Sequence, residues 1–238
     1  MEITQETQKR ILVKLIHNNG LKYNDLWGKD GESNKFNYHL KSLIEGDFVR
    51  KRGELYFLTN RGLTYVSSID GQTAKNKKRP VVCTFILGFD EKTKNILVNI
   101  RKKVPFYDYA GIPGGKIEMG SSPIDSAREE FFEETGLKAD LKLAAISNYN
   151  TYNDDELMHH VIAFTYLATN CSGELIESNR EGENKWMGLE EFKKQKKYPE
   201  LETFFEKILG SRNQIHFFNI NRFQEDDEFV GMKLFEEF

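Results

Sequence analysis

The chain has 238 residues, enough for one large domain or two small ones, and its 39% hydrophobic and 13% aromatic residues can form a proper core. No run approaches eighteen apolar residues, and the N-terminus lacks the basic and apolar layout of a signal peptide, so we expect neither a membrane span nor secretion. Two cysteines argue against a disulfide framework, and these features together favour a cytoplasmic protein.

The net charge is unevenly distributed along the chain. Residues 1–79 carry a net charge of +6 and the remaining residues carry −9, which together make the overall −3. A basic front part followed by an acidic back part predicts two modules with different partners. The basic module is suited to a polyanion.

Residues 3–69 are predicted to form three helices, a β-hairpin and a final helix. Ser33 is the expected cap of the third helix, and either Thr59 or Asn60 is the expected cap of the last. The helices are expected at residues 3–19, 23–27, 33–45 and 59–66, and the two strands of the hairpin at residues 48–51 and 54–58.

This order of elements resembles a winged helix-turn-helix domain of small bacterial and archaeal regulators, and residues 37–49 and 55–62 carry the resemblance. It implies double-stranded DNA as a partner, with the third helix in the major groove and the hairpin against phosphate. The implied contacts are Asn34, Lys35, Asn37, Tyr38 and Lys41 on the helix, and Arg50, Lys51 and Arg52 on the hairpin. Winged helices also serve as protein-docking or dimerisation modules, and that alternative stays open.

A linker is predicted at residues 71–80, because this run combines Gly, Thr and Asn with four basic residues. Residues 211–238 are rich in aromatic and acidic residues and too apolar for a free tail, so they either add strands or form a dimer contact. Between these segments, strands are predicted at residues 81–89, 96–101, 141–147 and 160–168, and helices at 189–194 and 201–209.

An acidic helix that follows a double glycine is the most informative pattern in the chain. Ser122 is its predicted N-cap and Gly136 its predicted left-handed C-cap. Glu130, Glu133 and Glu134 stand at i, i+3 and i+4, so they lie on one side of the helix. Crowded carboxylates repel one another unless a cation lies among them, and Mg²⁺ prefers oxygen ligands of this kind together with substrate phosphates. The pattern predicts metal-assisted chemistry on a diphosphate, and the alternative is a solvated acidic face.

Residues 115–137 resemble the Nudix box, which has a glycine, five residues, a glutamate, seven residues and the motif R-E-U-x-E-E-x-G-U, where U is bulky and apolar. The three glutamates of the acidic helix match the glutamates of that final motif. The resemblance extends over about residues 80–210. It implies an α/β/α sandwich with a mixed sheet, so the whole chain is expected to be α+β, with a winged helix domain in front.

Two positions depart from the Nudix pattern. Ser121 stands where the family has its first glutamate, and Glu129 stands where it has arginine. Arg128 is one residue early and about 100° round the helix, so it cannot simply replace that arginine.

The resemblance implies that water attacks a phosphorus of a nucleoside diphosphate linked to a group X, with Mg²⁺ or Mn²⁺ as the cofactor. The implied metal ligands are the Gly115 carbonyl and the carboxylates of Glu130, Glu133 and Glu134. The implied catalytic residues are Glu130, Glu133 and Glu183, and Glu181 is a neighbouring candidate in the segment where the family often supplies an extra acid. The implied substrate contacts are Arg101 and Lys116.

Three functions are compatible with these features. The first is a Nudix hydrolase with a DNA-binding-like regulatory front domain, which the intact glutamates favour. The second is a transcriptional regulator whose Nudix-like domain binds a nucleotide-linked metabolite without turnover, and Ser121 and Glu129 favour it. The winged-helix resemblance is compatible with a homodimer, since DNA-binding winged helices are commonly two-fold dimers. The third is a degenerate domain used only for oligomerisation.

The predicted segments are a winged helix domain at 1–70, a linker at 71–80, a Nudix-like domain at 81–210 and a C-terminal extension at 211–238.

Overall fold

The chain folds into two units, Met1–Lys78 and Arg79–Phe238, and each has its own apolar core. The computed structural model describes residues 3, 5–69, 78–226 and 228–237. Most of the predicted linker, residues 71–77, lies outside the described residues. In the described parts of the chain, no helix is both long and apolar enough to cross a membrane.

The first unit consists of helices and a small antiparallel sheet. In chain order its elements are α1 (Glu6–Ile16), β1 (Leu21–Lys22), α2 (Tyr23–Trp27), α3 (Ser33–Glu45), β2 (Val49–Arg52), β3 (Leu55–Leu58) and α4 (Asn60–Ser67). The strands pair in the order β1-β3-β2. Ile11 of α1, Leu26 of α2 and Leu43 of α3 are fully buried, so the helices pack on one another around a single apolar core.

The first helix is shorter than predicted at both ends, because it spans Glu6–Ile16 rather than residues 3–19. Gly20 adopts a left-handed φ of 93°, and a Cβ there would press against the Phe57 ring. The chain therefore turns at Gly20 and enters β1. That strand was not predicted, since two residues are too few to show an alternating pattern.

The caps of the two later helices differ from each other. Ser33 is the first residue of α3 rather than its cap, and Glu32 at the cap position makes no side-chain capping bond. Thr59 does cap α4, because its Oγ1 accepts a hydrogen bond from Gly62 N at 3.0 Å. Gly62 is required there, since a Cβ would overlap the carbonyl oxygen of Phe48.

The second unit is built on two sheets. In chain order its elements are β4 (Val81–Gly88), β5 (Ile96–Arg101), β6 (Ala110–Gly111), β7 (Gly114–Lys116), α5 (Pro123–Thr135), β8 (Leu137–Asn153), β9 (Glu156–Gly173), β10 (Gly182–Met187), α6 (Leu189–Phe192), α7 (Leu201–Gly210), β11 (His216–Glu225) and β12 (Glu228–Glu237). The larger sheet has the order β12-β11-β8-β9-β4-β7, with parallel pairs β4–β9 and β8–β11. The smaller sheet, β10-β5-β6, is antiparallel. The predicted α+β class with a mixed sheet is confirmed.

Two strands extend well beyond their predicted limits of 141–147 and 160–168. β8 and β9 form a long antiparallel hairpin in which Leu137 pairs with Gly173 and Asn153 pairs with Glu156. Towards both ends the side chains become mainly polar, so the apolar alternation that supported the prediction is lost there. The backbone ladder does not depend on that alternation and continues.

The C-terminal residues extend the larger sheet through β11 and β12. Phe218 and Ile220 of β11 are buried, and the Phe218 ring lies 4.6 Å from the ring of Phe204 in α7. Side chains of a strand alternate between its two faces, so Arg222 shares the inward face with Phe218 and Ile220. The segment therefore belongs to the core of the second unit and carries an arginine into it.

Candidate functional site

Caps and one apolar face hold the acidic helix α5 in place. Ser122 Oγ accepts a hydrogen bond from Asp125 N at 3.2 Å, and Pro123 is the first helical residue. Gly136 ends the helix with a left-handed φ of 73°, as predicted. Phe131 is buried in the core beneath the helix, so the carboxylates lie on the other faces.

The double glycine allows α5 to approach β7 closely. A Cβ on Gly115 would overlap the Glu130 carboxylate, and a Cβ on Gly114 would overlap the carbonyl oxygen of Thr84. Gly114 N donates a hydrogen bond to Glu134 Oε2 at 3.0 Å. Glu130 and Glu134 are therefore held directly against the glycine turn, a packing that side chains larger than hydrogen would prevent.

The three carboxylates of the box have different surroundings. Glu133 is exposed, whereas Glu130 and Glu134 are partly buried. Burial, followed by the negative charges of Glu133 and Glu118, raises the pKa of the Glu130 carboxyl. Burial raises the pKa of the Glu134 carboxyl to about 7. Two acids that are normally ionised at neutral pH are thus held where the charged form is disfavoured.

The donor set suits a hard divalent cation. Within the described residues, no group of three or more His, Cys, Asp or Glu side chains is close enough together to hold a metal ion by itself. Mg²⁺ is commonly held by one or two carboxylates together with substrate phosphates, so a complete protein cage is not required. A cation beside Glu130 would favour the ionised carboxylate, which burial and the charges of Glu133 and Glu118 disfavour. Glu130 and Glu134 place carboxylate oxygens, the type of ligand that such an ion prefers, against the glycine turn.

A cavity of about 380 Å³ lies beside the glycine turn. Gly114 and Glu134 line it together with Arg101, Lys103 and Glu181. The volume is within the range of small-molecule sites in proteins. Acidic and basic side chains from separate elements therefore meet in one cavity of suitable size.

Residues 77–208 match the family model of the NUDIX domain, which is more than half of the chain. The chain belongs to the NUDIX family. The resemblance inferred from the glycine turn and the acidic helix is thereby confirmed.

Known relatives of the NUDIX unit agree with this assignment. The uncharacterized Nudix hydrolase YvcI of Bacillus subtilis is 31% identical over 75 residues, which are 31% of this chain and 48% of YvcI. The chain thus spans about half the length of this curated relative. Among solved structures, the MutT protein from Bacillus halodurans is 22% identical with a TM-score of 0.55, covering 65% of this chain and 97% of its own. The NUDIX domain of Shewanella oneidensis NrtR, solved with ADP ribose, is 15% identical with a TM-score of 0.51. The match covers 66% of this chain and 100% of the NrtR domain. These likenesses show the fold.

The NUDIX box departs from the family pattern at Ser121 and Glu129, and both residues are exposed. Arg128 pairs with Asp125 at 2.8 Å near the start of α5, so it does not take the place of the family arginine. Lys103, which follows β5, is instead a cation whose charge acts on both Glu130 and Glu134. Positive charge beside these carboxylates therefore comes from the cavity wall.

The two predicted substrate contacts lie in different places. Arg101 lines the cavity, and its Nε donates a hydrogen bond to the Pro105 carbonyl oxygen at 2.6 Å. Lys116 is exposed at the end of β7 and is not among the described residues that line the cavity. The structure therefore brings only Arg101 of this pair to the site.

The two candidate acids, Glu181 and Glu183, have different surroundings. The Glu183 side chain is 55% exposed and pairs with Lys102 at 3.6 Å, and it is absent from the described cavity lining. Glu181 lines the cavity, is 26% exposed and pairs with Lys103. Sequence spacing alone did not separate these acids, because they stand only two residues apart.

The residues predicted to contact DNA all lie on the surface of the first unit. Those on α3 are Asn34, Lys35, Asn37, Tyr38 and Lys41, and those on β2 are Arg50, Lys51 and Arg52. Tyr38 is 71% exposed, so it is open to solvent on the surface of α3.

A second polar group in the cavity was missed by sequence reasoning and consists of Glu200 and Arg222. Arg222 Nε donates to Glu200 Oε2 at 3.1 Å, and Arg222 Nη2 donates to the other carboxylate oxygen. The Glu200 side chain is 1% exposed and the Arg222 side chain 14%. The available signal was the alternation of β11, in which Arg222 follows the buried Ile220 by two residues.

Proposed function

We propose that this NUDIX chain hydrolyses a nucleoside diphosphate linked to a second group, with Mg²⁺ or Mn²⁺ as its cofactor. The observation that carries the proposal is the meeting of Glu134, Arg101 and Lys103 in one cavity beside the glycine turn. Carboxylates suit a hard cation, and arginine and lysine suit phosphate oxygens. Both parts of a metal–diphosphate complex therefore have partners in this cavity.

The residues that would hold the cation are Glu130, Glu133, Glu134 and the Gly115 carbonyl. When bound, Mg²⁺ neutralises the charge that develops on the phosphate oxygens. Because burial raises the pKa of Glu134 to about 7, part of the metal-free protein carries a proton there at neutral pH. A cation favours the ionised carboxylate, so we expect its binding near pH 7 to release a proton.

We assign Glu181 as the proton acceptor, in place of Glu183. Glu181 lines the cavity, whereas Glu183 is not part of the described lining. In the reaction, a water oxygen forms a bond to phosphorus, the water proton passes to Glu181, and the bond from phosphorus to the bridging oxygen breaks with its electron pair on the leaving phosphate. Arg101, which forms no ion pair among the described residues, binds the phosphate oxygens during this step.

Glu181→Gln is expected to lower kcat by about 100-fold or more, because glutamine keeps the size of the side chain but cannot accept the proton. The measurement is a hydrolysis screen with Mg²⁺ or Mn²⁺ over ADP-ribose, dinucleotides, nucleoside diphosphate sugars and nucleoside triphosphates, followed by chromatography of the products. ADP-ribose comes first in the screen because it is the ligand of the NrtR NUDIX domain.

Glu183→Gln is the matched control for Glu181→Gln, since it removes a carboxylate two residues away that pairs with a different lysine. It is expected to keep most of the activity. Loss of turnover in Glu183→Gln alone would show that the base is assigned to the wrong residue. A wild-type protein that turns over no compound in the screen would contradict the hydrolase proposal itself.

DNA binding by the first unit is a second candidate function, and the exposed faces of α3 and β2 favour it. In this proposal the first unit is a winged helix-turn-helix domain, with α3 as the recognition helix and the β2–β3 hairpin as the wing. The basic side chains among the predicted contacts are Lys35, Lys41, Arg50, Lys51 and Arg52, and all are exposed. The NUDIX unit would then bind a nucleotide-linked metabolite that changes the affinity for DNA.

Replacing Arg50 and Lys51 together with glutamine is expected to weaken binding to a mixed-sequence DNA duplex. The slope of log affinity against log salt concentration should fall by about two, since each lost phosphate contact removes about one counterion from the exchange. Fluorescence anisotropy of a labelled duplex at several salt concentrations measures both quantities.

Lys29→Gln is the control for this pair, because Lys29 is an exposed lysine of the loop before α3 and lies outside the proposed contact surface. It is expected to leave the slope unchanged. An unchanged slope in the double variant, or no binding by the wild type at low salt, would contradict the DNA-binding role.

A further inference from the structure

We propose that Arg222 recognises the base of the nucleotide and selects a purine with a carbonyl group at position 6 over one with an amino group there. This inference rests on the function proposed above and adds the identity of the base. Arg222 lies on β11, beyond residues 77–208 that match the NUDIX model, so the specificity belongs to this chain's C-terminal hairpin.

Arg222 keeps hydrogen-bond donors after its pairing with Glu200. A guanidinium has five N–H donors, and Nε and Nη2 each direct one to a carboxylate oxygen of Glu200. Among the described residues, Glu200 is the only hydrogen-bond acceptor that Arg222 contacts. Arg222 also lines the cavity, so a ligand bound there lies next to this side chain. A ligand acceptor would satisfy donors that are otherwise shielded from most of the solvent.

The guanidinium of Arg222 is held in one orientation. Its central carbon lies 4.3 Å from the ring centre of Tyr149 and 5.3 Å from that of Tyr198. The two hydrogen bonds to Glu200, whose side chain is 1% exposed, fix the plane of the guanidinium. A donor group that is already ordered loses little conformational freedom when a ligand binds, so it can discriminate between similar acceptors.

The charges of the cavity separate a phosphate region from a base region. Within the described residues Arg101 forms hydrogen bonds to the carbonyl oxygens of Pro105 and Val104 and no ion pair, so it can attract an anion. Arg222 is already neutralised by Glu200, and a neutral acceptor therefore suits it better than a second anion. Phosphates are expected beside Arg101 and the glycine turn, and the uncharged base beside Arg222.

The acceptor pattern that matches an arginine fork is the O6 and N7 pair of guanine or hypoxanthine. Adenine offers N7 as an acceptor but presents an amino donor at position 6, which would face a donor of Arg222. Phe106 and Tyr198 also line the cavity and add apolar ring surface to it. Apolar contact does not distinguish one purine from another, so the choice between purines falls to Arg222.

The test uses the full-length wild-type protein and isothermal titration calorimetry with GDP, IDP, ADP and 7-deaza-GDP in the presence of Mg²⁺. We expect GDP and IDP to bind about tenfold more tightly than ADP, since a bidentate arginine contact gives a discrimination of about 5- to 150-fold. 7-Deaza-GDP lacks the N7 acceptor and is expected to bind about tenfold more weakly than GDP. A residue that only supports the fold would not produce this order.

Arg222→Lys keeps a positive charge beside Glu200 and removes the fork, so it is expected to bring the ratio of GDP to ADP affinity close to one. Arg212→Lys is the matched control. Arg212 also pairs with a glutamate, Glu91, at 2.7 Å and lies 4.5 Å from the ring centre of Phe89, but it is not part of the described cavity lining. This control is expected to leave the ratio unchanged, and thermal unfolding checks that both variants are folded.

Equal binding of GDP, IDP and ADP to the wild type overturns the inference, and so does a folded Arg222→Lys variant that keeps the wild-type ratio. Either result leaves the hydrolase proposal intact if turnover of a screened compound still depends on Glu181. If Arg222→Lys does not fold, the comparison of GDP with 7-deaza-GDP on the wild type decides the question. Failure of all four nucleotides to bind also overturns the inference, and the turnover screen then decides the proposed function separately.

Discussion

Replacing Glu134 with glutamine is expected to raise the free energy of unfolding of the divalent-free protein at pH 8 and to leave it almost unchanged at pH 4. Burial raises the pKa of the Glu134 carboxyl from its ordinary value of 4.5 to about 7. The folded chain therefore binds this proton more tightly than the unfolded chain, and stability falls as the pH rises from the unfolded pKa through the folded one. One pKa unit corresponds to about 1.4 kcal/mol, so the gain at pH 8 is on the order of 3 kcal/mol.

Urea unfolding in EDTA at pH 4, 6 and 8 measures this effect. Glutamine keeps an acceptor for Gly114 N, so the comparison isolates the charge. Glu133→Gln is the control, because Glu133 is an exposed carboxylate of the same helix and its loss is expected to change stability little. A gain of equal size at pH 4 and pH 8 would show that burial of the charge is not the cause.

Added Mg²⁺ is expected to shrink or reverse the advantage of Glu134→Gln at pH 8. The cation binds the folded wild-type carboxylate and stabilises it by mass action, whereas the glutamine variant lacks that ligand. The same side chain would thus destabilise the empty fold and support the metal-bound one, which is the compromise expected of a functional carboxylate.

Replacing Glu200 with leucine is expected to lower the free energy of unfolding by about 3–5 kcal/mol, because it leaves Arg222 buried without its partner. The matched control is Glu91→Leu, which removes the partner of Arg212. That pair is more open to water, with side-chain exposures of 54% and 33%, so the expected loss is below about 1 kcal/mol.

The double variant Glu200→Leu with Arg222→Met separates the ion pair from the packing around it. Removing both charges leaves no unpaired ion, so the double variant is expected to recover most of the stability lost in Glu200→Leu. Denaturant unfolding of the wild type, of Glu200→Leu, of Arg222→Met and of the double variant completes the double-mutant cycle. Additive losses would show that the two side chains act independently.

Local signals in the sequence were sufficient for the elements that short-range physics controls. Caps and turns act over three or four residues, which is why Ser122 and Gly136 marked α5 correctly. Where the local signal was weak, the prediction failed, as with the two-residue strand Leu21–Lys22 and the position of Ser33. The polar ends of β8 and β9 were missed for the same reason.

The sequence alone determined the NUDIX family and the position of Glu130, Glu133 and Glu134 on one helix, because the spacing of the box places them there wherever that helix packs. Only the tertiary structure decided that Glu181 rather than Glu183 lines the cavity, and that Lys103 supplies charge beside the box. It also brought Arg222 to that cavity, through the parallel pairing of β11 with β8. Side-chain alternation tells which face of a strand is buried, but it does not encode which strand lies next to it, and the composition of the cavity depends on that pairing.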